Sequence, residues 1–159
     1  MTPRISALTD QQSPAASAEV LAATKAKLGV VPNLHRTLAH APAALKAYAD
    51  MSAALAGGTL HPKLRESIAV ATAGANGCTY CASAHTYIGT ALRIPADELT
   101  RNLHGESGDP RTAAALSFVG ELIDRRGAVS DASFAAVRDA SFTDAEIVEA
   151  VAHVALNGF

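Results

Sequence analysis

Helix start and stop signals recur at short intervals along the chain, and they constrain its fold more than any other sequence feature. Prolines open apolar segments of helical spacing and glycines follow their ends, as at Pro42, Pro62, Pro110, Gly29 and Gly57. Proline suits the first turn of a helix, where its missing N–H is not needed, and glycine suits the residue after the last turn. No alternating apolar and polar pattern of convincing length indicates a strand. The sequence therefore predicts an all-α protein without an internal repeat.

These signals also predict where the helices lie. The expected helices cover residues 17–27, 34–39, 42–56, 62–74, 78–92 and 95–103, and three more begin at Pro110, at Ser130 or Asp131, and at Thr143. Ser17 is the expected cap of the first helix, and Thr143 with Glu146 forms a capping box for the last. Residues 1–16 are expected to be a flexible N-terminal arm, and residues 17–159 a single multi-helix domain.

Charge and hydropathy exclude several classes of protein. The formal net charge is −2 and no cluster of Lys or Arg is present, so a nucleic-acid partner is not expected. The apolar stretches are shorter than the ~18 residues that a membrane span requires. The N-terminal residues lack the apolar segment of a secretory signal. We therefore expect a cytoplasmic protein, and in that reducing compartment paired cysteines are more often catalytic or metal-binding than structural.

The chain contains two cysteines, Cys78 and Cys81, and His85 follows one helical turn later. Thiols this close in sequence can form and break a short-loop disulfide, and an imidazole nearby favours the reactive thiolate. Spacings of three and four residues place all three side chains on one face of the predicted helix. The pattern indicates redox chemistry.

The residues alone leave open which sulfur is more reactive. Cys78 stands at the start of the predicted helix, where free N–H groups and the helix dipole favour a negative sulfur. His85 is instead one turn after Cys81 and in register with it. Glu66 precedes the predicted turn at 76–77 by about as many residues as His85 follows it, so paired helices bring the two to similar heights. A carboxylate there orients the imidazole and helps it to pass a proton.

Two plainer interpretations of the cysteines stay open. Free cysteines behave as small apolar residues, so the pair also fits an inert core. Cys78, Cys81, His85 and Glu66 are also four zinc donors, although structural zinc sites usually draw ligand pairs from two elements and three ligands on one short helix would be crowded. Neither a metal nor an organic cofactor is expected.

The pattern Glu66, Cys78, Cys81, His85 resembles the signature of the alkylhydroperoxidase D-like family within the carboxymuconolactone decarboxylase superfamily. The surrounding residues resemble the family as well, namely those at 31–33, 64–66, 76–78 and 151–157. With Tyr80 before the second cysteine, the chain is most similar to the peroxidase-related subgroup with C-x-Y-C.

The resemblance implies a helical homo-oligomer that reduces hydroperoxides in antioxidant defence without haem, flavin or metal. It implies that Cys81 attacks the peroxide, that Cys78 supplies a proton and then forms the Cys78–Cys81 disulfide, and that Glu66 and His85 relay protons. The expected partners are a hydroperoxide substrate and a thiol or dithiol reductant. The alternatives are a non-catalytic redox or zinc-binding module, or a decarboxylase-branch enzyme with incidental cysteines.

Three further residues lie outside the pattern of four but are candidates for contact with the site. Tyr80 stands where the family's peroxidase carries a histidine, and a tyrosine with its usual pKa near ~10 is no base at neutral pH. Its hydroxyl is still a candidate substrate or relay contact, and a half-buried packing role is the alternative. His153 and Asn157 are one turn apart on the last predicted helix. A structural hydrogen bond is the expectation for them, and contact with an active site is the alternative.

Overall fold

The computed structural model of the chain describes residues 3–159, which form nine α-helices and no strand. The helices are α1 (Ala15–Leu28), α2 (Asn33–Leu38), α3 (Pro42–Ala56), α4 (Pro62–Ala75), α5 (Thr79–Ala91), α6 (Ala96–Leu103), α7 (Pro110–Asp124), α8 (Asp131–Asp139) and α9 (Asp144–Asn157). The all-α prediction is confirmed for this part of the chain. Met1 and Thr2, the first residues of the expected arm, lie outside the described residues.

Residues 3–54 form one compact unit with a small apolar core. That core consists of buried Leu21, Val31, Ala39 and Leu45. The prediction that Ser17 caps α1 is wrong. The helix already begins at Ala15, because Pro14 supplies a suitable entry and two alanines, which are strong helix formers, precede Ser17. Ser17 is instead buried in the first turn, where its hydroxyl donates to the Ala39 carbonyl at 3.1 Å.

Residues before α1 also make hydrogen bonds within this first unit. The guanidinium of Arg36 donates to the Leu8 carbonyl at 3.1 Å and to the Asp10 carboxylate at 2.6 Å. The bond from Arg36 and its positive charge lower the pKa of Asp10. The flexibility of residues 1–16 stays a prediction.

The residues from Leu55 onward form a second compact unit, built around α4. Helix α4 packs against α5, α6, α7 and α9, and residues 67–73 along it are all buried. Its main core joins α4 to α7 and α9 through side chains that include Ile68, Leu116, Val119 and Ile147. Helix α5, which begins immediately after Cys78, therefore packs along a well-anchored helix.

Side-chain caps account for several helix starts in this second unit. The predicted capping box is present, with Thr143 accepting from the Glu146 N–H at 3.2 Å and Glu146 accepting from the Thr143 N–H at 2.9 Å. Ser130, rather than Asp131, caps α8 by accepting from the Ser133 N–H at 3.2 Å. Among residues 3–159, no helix is both long enough and apolar enough to span a membrane.

Candidate active site

The turn between α4 and α5 sets the position of the cysteines. Gly77 has a φ of 60°, a left-handed conformation that glycine adopts without the steric cost of a side chain. The Gly77 N–H donates to the Gly74 carbonyl and the Cys78 N–H donates to the Ala73 carbonyl, each at 3.0 Å. These bonds satisfy the last carbonyls of α4 and place Cys78 directly at the start of α5.

Cys78 is the N-cap of α5 and forms a disulfide with Cys81. The two Cα atoms are 5.3 Å apart, and the Cys81 N–H donates to the Cys78 sulfur at 3.2 Å. The sulfur thus occupies the place of the oxygen with which a serine or aspartate usually caps a helix. Both cysteines are partly exposed. On reduction, this N–H and the helix dipole stabilise negative charge on Cys78.

Glu66 of α4 and His85 of α5 form a close polar pair beside the disulfide. The Nδ1 atom of His85 donates to Oε1 of Glu66 at 2.6 Å, and the two side chains are 25% and 12% exposed, respectively. The contact predicted from the spacing about the turn is therefore present. With Nδ1 committed to the carboxylate, the other ring nitrogen, Nε2, is left to exchange a proton. The catalytic roles of these residues remain predictions.

Tyr80 lies between the two cysteines in the first turn of α5, with 48% of its surface exposed. Two further large apolar side chains of α5, Tyr87 and Ile88, are exposed as well. The arrangement offers an apolar surface on the same short helix as the disulfide. A role of Tyr80 as a substrate or relay contact stays a prediction.

His153 of α9 is a buried histidine whose surroundings could not be read from the sequence. It is 6% exposed, and burial together with the positive charge of Arg65 lowers its pKa, against the opposing charges of Glu149 and Glu66. The amide of Asn157 donates to the backbone carbonyl of His153 at 2.7 Å, so Asn157 makes a structural hydrogen bond, whereas the buried Nε2 atom of His153 lacks the expected partner among the described residues. The imidazole itself takes no part in that bond.

Metal-ligand groups and cavities among the described residues bear on the chemistry open to the disulfide. In the described part of the chain, no group of three or more His, Cys, Asp or Glu side chains is arranged to hold a metal ion. A cavity of about 360 Å³ is lined by residues of α4, α6 and α7, including Lys63 and Asp109, but not by the cysteines. Two of its charged groups have structural partners, since Lys63 donates to the Arg93 carbonyl and Asp109 caps α7.

The fold and the site together define a helical protein with a cysteine pair at a helix start and a carboxylate–imidazole pair beside it. The sequence profile of the carboxymuconolactone decarboxylase family matches residues 42–121, which include all four of these side chains. The chain belongs to this family. The resemblance inferred from the sequence is confirmed at this level, and the C-x-Y-C subgroup stays a prediction.

Solved structures share the fold over nearly the whole chain. The alkylhydroperoxidase AhpD core of an uncharacterized peroxidase-related protein from Ralstonia eutropha JMP134 is 29% identical, with a TM-score of 0.84 over 99% of this chain and 87% of that one. A peroxidase-related protein from Silicibacter sp. TM1040 is 24% identical, with a TM-score of 0.83 over 99% and 88% of the two chains.

The same fold occurs in a debrominase. The debrominase Bmp8, in complex with 2,3,4-tribromopyrrole, is 20% identical, with a TM-score of 0.82 over 100% of this chain and 86% of that one. A comparison with curated protein sequences found no significant match. At these identities, the debrominase and the Silicibacter protein show the fold alone.

Proposed function

We propose that this protein is a thiol-dependent peroxidase of antioxidant defence that reduces hydroperoxides through Cys78 and Cys81. The observation that carries the proposal is the Cys78–Cys81 disulfide at the start of α5, on the helix whose His85 is bound to Glu66. The similarity to the AhpD core from Ralstonia eutropha, a peroxidase-related protein, supports the same chemistry.

In the first step, the Cys81 thiolate attacks the terminal oxygen of a hydroperoxide. The O–O bond breaks, a sulfenic acid forms on Cys81, and the alcohol leaves with a proton supplied by Cys78. The sulfur is oxidised by two electrons and the peroxide is reduced by two. His85 lies one turn after Cys81, and its Nε2 atom takes the thiol proton while Glu66 holds Nδ1.

In the second step, the Cys78 thiolate attacks the sulfenic sulfur. The S–S bond forms, the S–O bond breaks, and hydroxide leaves as water after taking up a proton. The position of Cys78 at the helix N-cap favours this step, because the Cys81 N–H and the helix dipole stabilise the Cys78 thiolate. An external thiol or dithiol reductant then returns both cysteines to the thiol state.

The proposal also covers the partners, the cellular compartment and the oligomeric state of the protein. A hydroperoxide and a thiol or dithiol reductant are its partners, and the cytoplasm is its compartment because turnover requires a supply of reductant. The protein acts as a homo-oligomer. Exposed apolar side chains along α9, among them Val148 and Val151, are available for contacts between subunits.

A single-turnover experiment tests the proposed function without knowledge of the physiological reductant. The fully reduced, metal-free protein is mixed with about one equivalent of cumene hydroperoxide, and its thiols are mapped by mass spectrometry. We expect rapid formation of the Cys78–Cys81 disulfide. We also expect a dimedone-trapped sulfenic acid on Cys81 in the Cys78→Ser variant and none in the Cys81→Ser variant.

Three other outcomes would contradict the proposed function or change its order of steps. Thiols that stay reduced exclude reduction of this peroxide and favour disulfide exchange or a non-catalytic redox or zinc-binding module. A sulfenic acid on Cys78 in the Cys81→Ser variant, with none on Cys81 in the Cys78→Ser variant, would reverse the order of attack. Stoichiometric zinc that resists mild chelation would identify a metal-binding module instead.

A further inference from the structure

His153 of α9 carries a buried polar atom that the fold does not satisfy. Helix α9 packs against α4, the His153 side chain on α9 is buried, and its Nε2 atom has no hydrogen-bond partner among the described residues. A buried ring nitrogen without a partner costs free energy, and native proteins rarely leave one without a reason. The atom therefore marks a place where a polar interaction is expected.

Three charged side chains act electrostatically on this imidazole: Arg65 and Glu66 of α4 and Glu149 of α9. Two of these side chains, Arg65 and Glu149, already make hydrogen bonds to other groups. Arg65 donates to the carbonyls of Leu55 and Ala56. The carboxylate of Glu149 accepts from the backbone N–H groups at 59 and 60 and from the Thr59 hydroxyl.

Glu66 is the remaining charged neighbour. Its Oε1 atom accepts from His85, and that bond leaves the Oε2 atom outside it. A carboxylate only accepts hydrogen bonds, so it needs a donor from its neighbour. Burial and the charge of Arg65 lower the pKa of His153, which favours the neutral ring, and a neutral imidazole carries one N–H group. The tautomer protonated at Nε2 supplies that donor at the unsatisfied atom.

A second contact of α9 sets the position of His153 along α4. Glu149 lies one turn before His153, and its carboxylate receives the N–H groups of Thr59 at 2.7 Å and Leu60 at 3.0 Å. This clamp ties α9 to the segment that leads into α4. Because side chains four residues apart lie on the same face of a helix, His153 is presented to α4 one turn further along.

We propose that His153 is a positioning residue for the active site, whose Nε2–H group holds the Glu66 carboxylate through one bridging water molecule. Glu66 in turn orients His85 and keeps a negative charge beside its ring. The inference rests on the proposed function in which His85 accepts the proton of Cys81. The proposed contact extends the chain of polar side chains that begins at Cys81 on α5, so that it runs through Glu66 on α4 to His153 on α9.

The test measures the pH dependence of alkylation of Cys81 by iodoacetamide in the full-length Cys78→Ser protein, where Cys81 is the remaining thiol. We expect His153→Leu to raise the thiol pKa of Cys81 by about half a unit, which is a roughly threefold loss of thiolate at neutral pH. His153→Gln should restore most of the loss because its amide reaches the position of Nε2. Ala155→Ser, at an exposed position of α9, should match the parent protein.

A second comparison applies if His153→Leu does not fold. The amide of His153→Asn reaches only the Nδ1 position, so we expect Asn to raise the thiol pKa and Gln to leave it near the parent value. Equal values for Asn and Gln would overturn the inference. In the folded parent, ¹⁵N spectra should show the neutral Nε2–H tautomer of His153, and the Nδ1–H tautomer would contradict the proposal.

Glu66→Gln separates failure of this inference from failure of the proposed function. An unchanged thiol pKa in His153→Leu together with a raised one in Glu66→Gln would reject the role of His153 and leave the peroxidase proposal intact. An unchanged value in both variants would reject the proton relay itself. A raised value in His153→Leu alone would show that His153 does not act through Glu66, and would also overturn the inference.

Discussion

The imidazole of His85 is bound to the carboxylate of Glu66 by a 2.6 Å hydrogen bond from Nδ1 to Oε1, although the two residues are 19 positions apart in the sequence. Glu66 belongs to α4, the helix at the centre of its unit, and His85 follows the cysteines on α5. A rigid helix therefore supplies the carboxylate and the more exposed helix supplies the reacting groups. This arrangement suits a site in which Glu66 must stay in place while the sulfurs of Cys78 and Cys81 react.

Replacing Glu66 with glutamine should weaken the activation of Cys81. An amide does not balance the positive charge that His85 gains in the proposed transfer of the Cys81 proton, so we expect the Cys81 thiol pKa to rise by about one unit, which is roughly tenfold less thiolate at neutral pH. The pH dependence of alkylation in the Cys78→Ser background measures this shift. Glu106→Gln, a change at an exposed position of the same unit, is the control and should leave the pKa unaltered. Equal values for the two variants would show that the pair does not activate the thiol.

Removing the hydroxyl of Tyr80 should affect the peroxide rather than the thiol. If the hydroxyl donates a hydrogen bond to the bound peroxide, Tyr80→Phe should slow disulfide formation by about two- to tenfold, the range of one neutral hydrogen bond. Alkylation of Cys81 should be unchanged. Tyr87→Phe, at a position on the same helix that is 79% exposed, is the matched control. Stopped-flow measurement of disulfide formation that gives identical rates for all three proteins would assign Tyr80 a packing role.

The clamp made by Glu149 should contribute stability that depends on pH. Backbone bonds from Thr59 and Leu60 lower the pKa of Glu149, against the opposing effect of burial. A lowered pKa in the folded state means that the stabilisation is present above the unfolded value near ~4.3 and is lost as the pH falls through the folded value. Glu149→Gln should therefore reduce the free energy of unfolding by about 1–3 kcal/mol at pH 7 and by much less below pH ~4.

Urea unfolding at several pH values checks this prediction, with Glu106→Gln as the control. Gly58 supplies an independent probe, since a Cβ there would lie 2.5 Å from Oε2 of Glu149. We expect Gly58→Ala to destabilise the parent protein more than it destabilises Glu149→Ala, because the two changes disturb the same contact. Additive effects would show that the two positions are not coupled.

The capping box of α9 should stabilise the fold without affecting the chemistry. Thr143→Ala removes the acceptor of the Glu146 N–H, and loss of such a cap costs about 1 kcal/mol. Chemical denaturation should detect this loss, while alkylation of Cys81 stays at the parent rate. Thr100→Ala of α6 is a suitable comparison, since its hydroxyl bonds back to the Ala96 carbonyl and caps no helix. A similar loss of stability in both variants would argue against a specific role of the cap.

Local sequence signals predicted most helix boundaries because they act through the backbone of the same few residues. Proline at the start of α3, α4 and α7 and the capping box of α9 all lie where the structure begins a helix. The error at Ser17 has a physical explanation. Its hydroxyl has the chemistry of a cap, but a contact with the Ala39 carbonyl, distant in the sequence, takes up the side chain instead.

The sequence by itself determined that Cys78, Cys81 and His85 share one face of a helix, and that Glu66 lies at a similar height on the helix before it. Both results follow from the fixed rise and period of a helix on either side of a short turn. Only the tertiary structure decided that His153 is buried against α4 in the neighbourhood of Glu66. Which face of α9 meets which turn of α4 depends on packing throughout the core, together with the Glu149 clamp, and no local pattern encodes that choice.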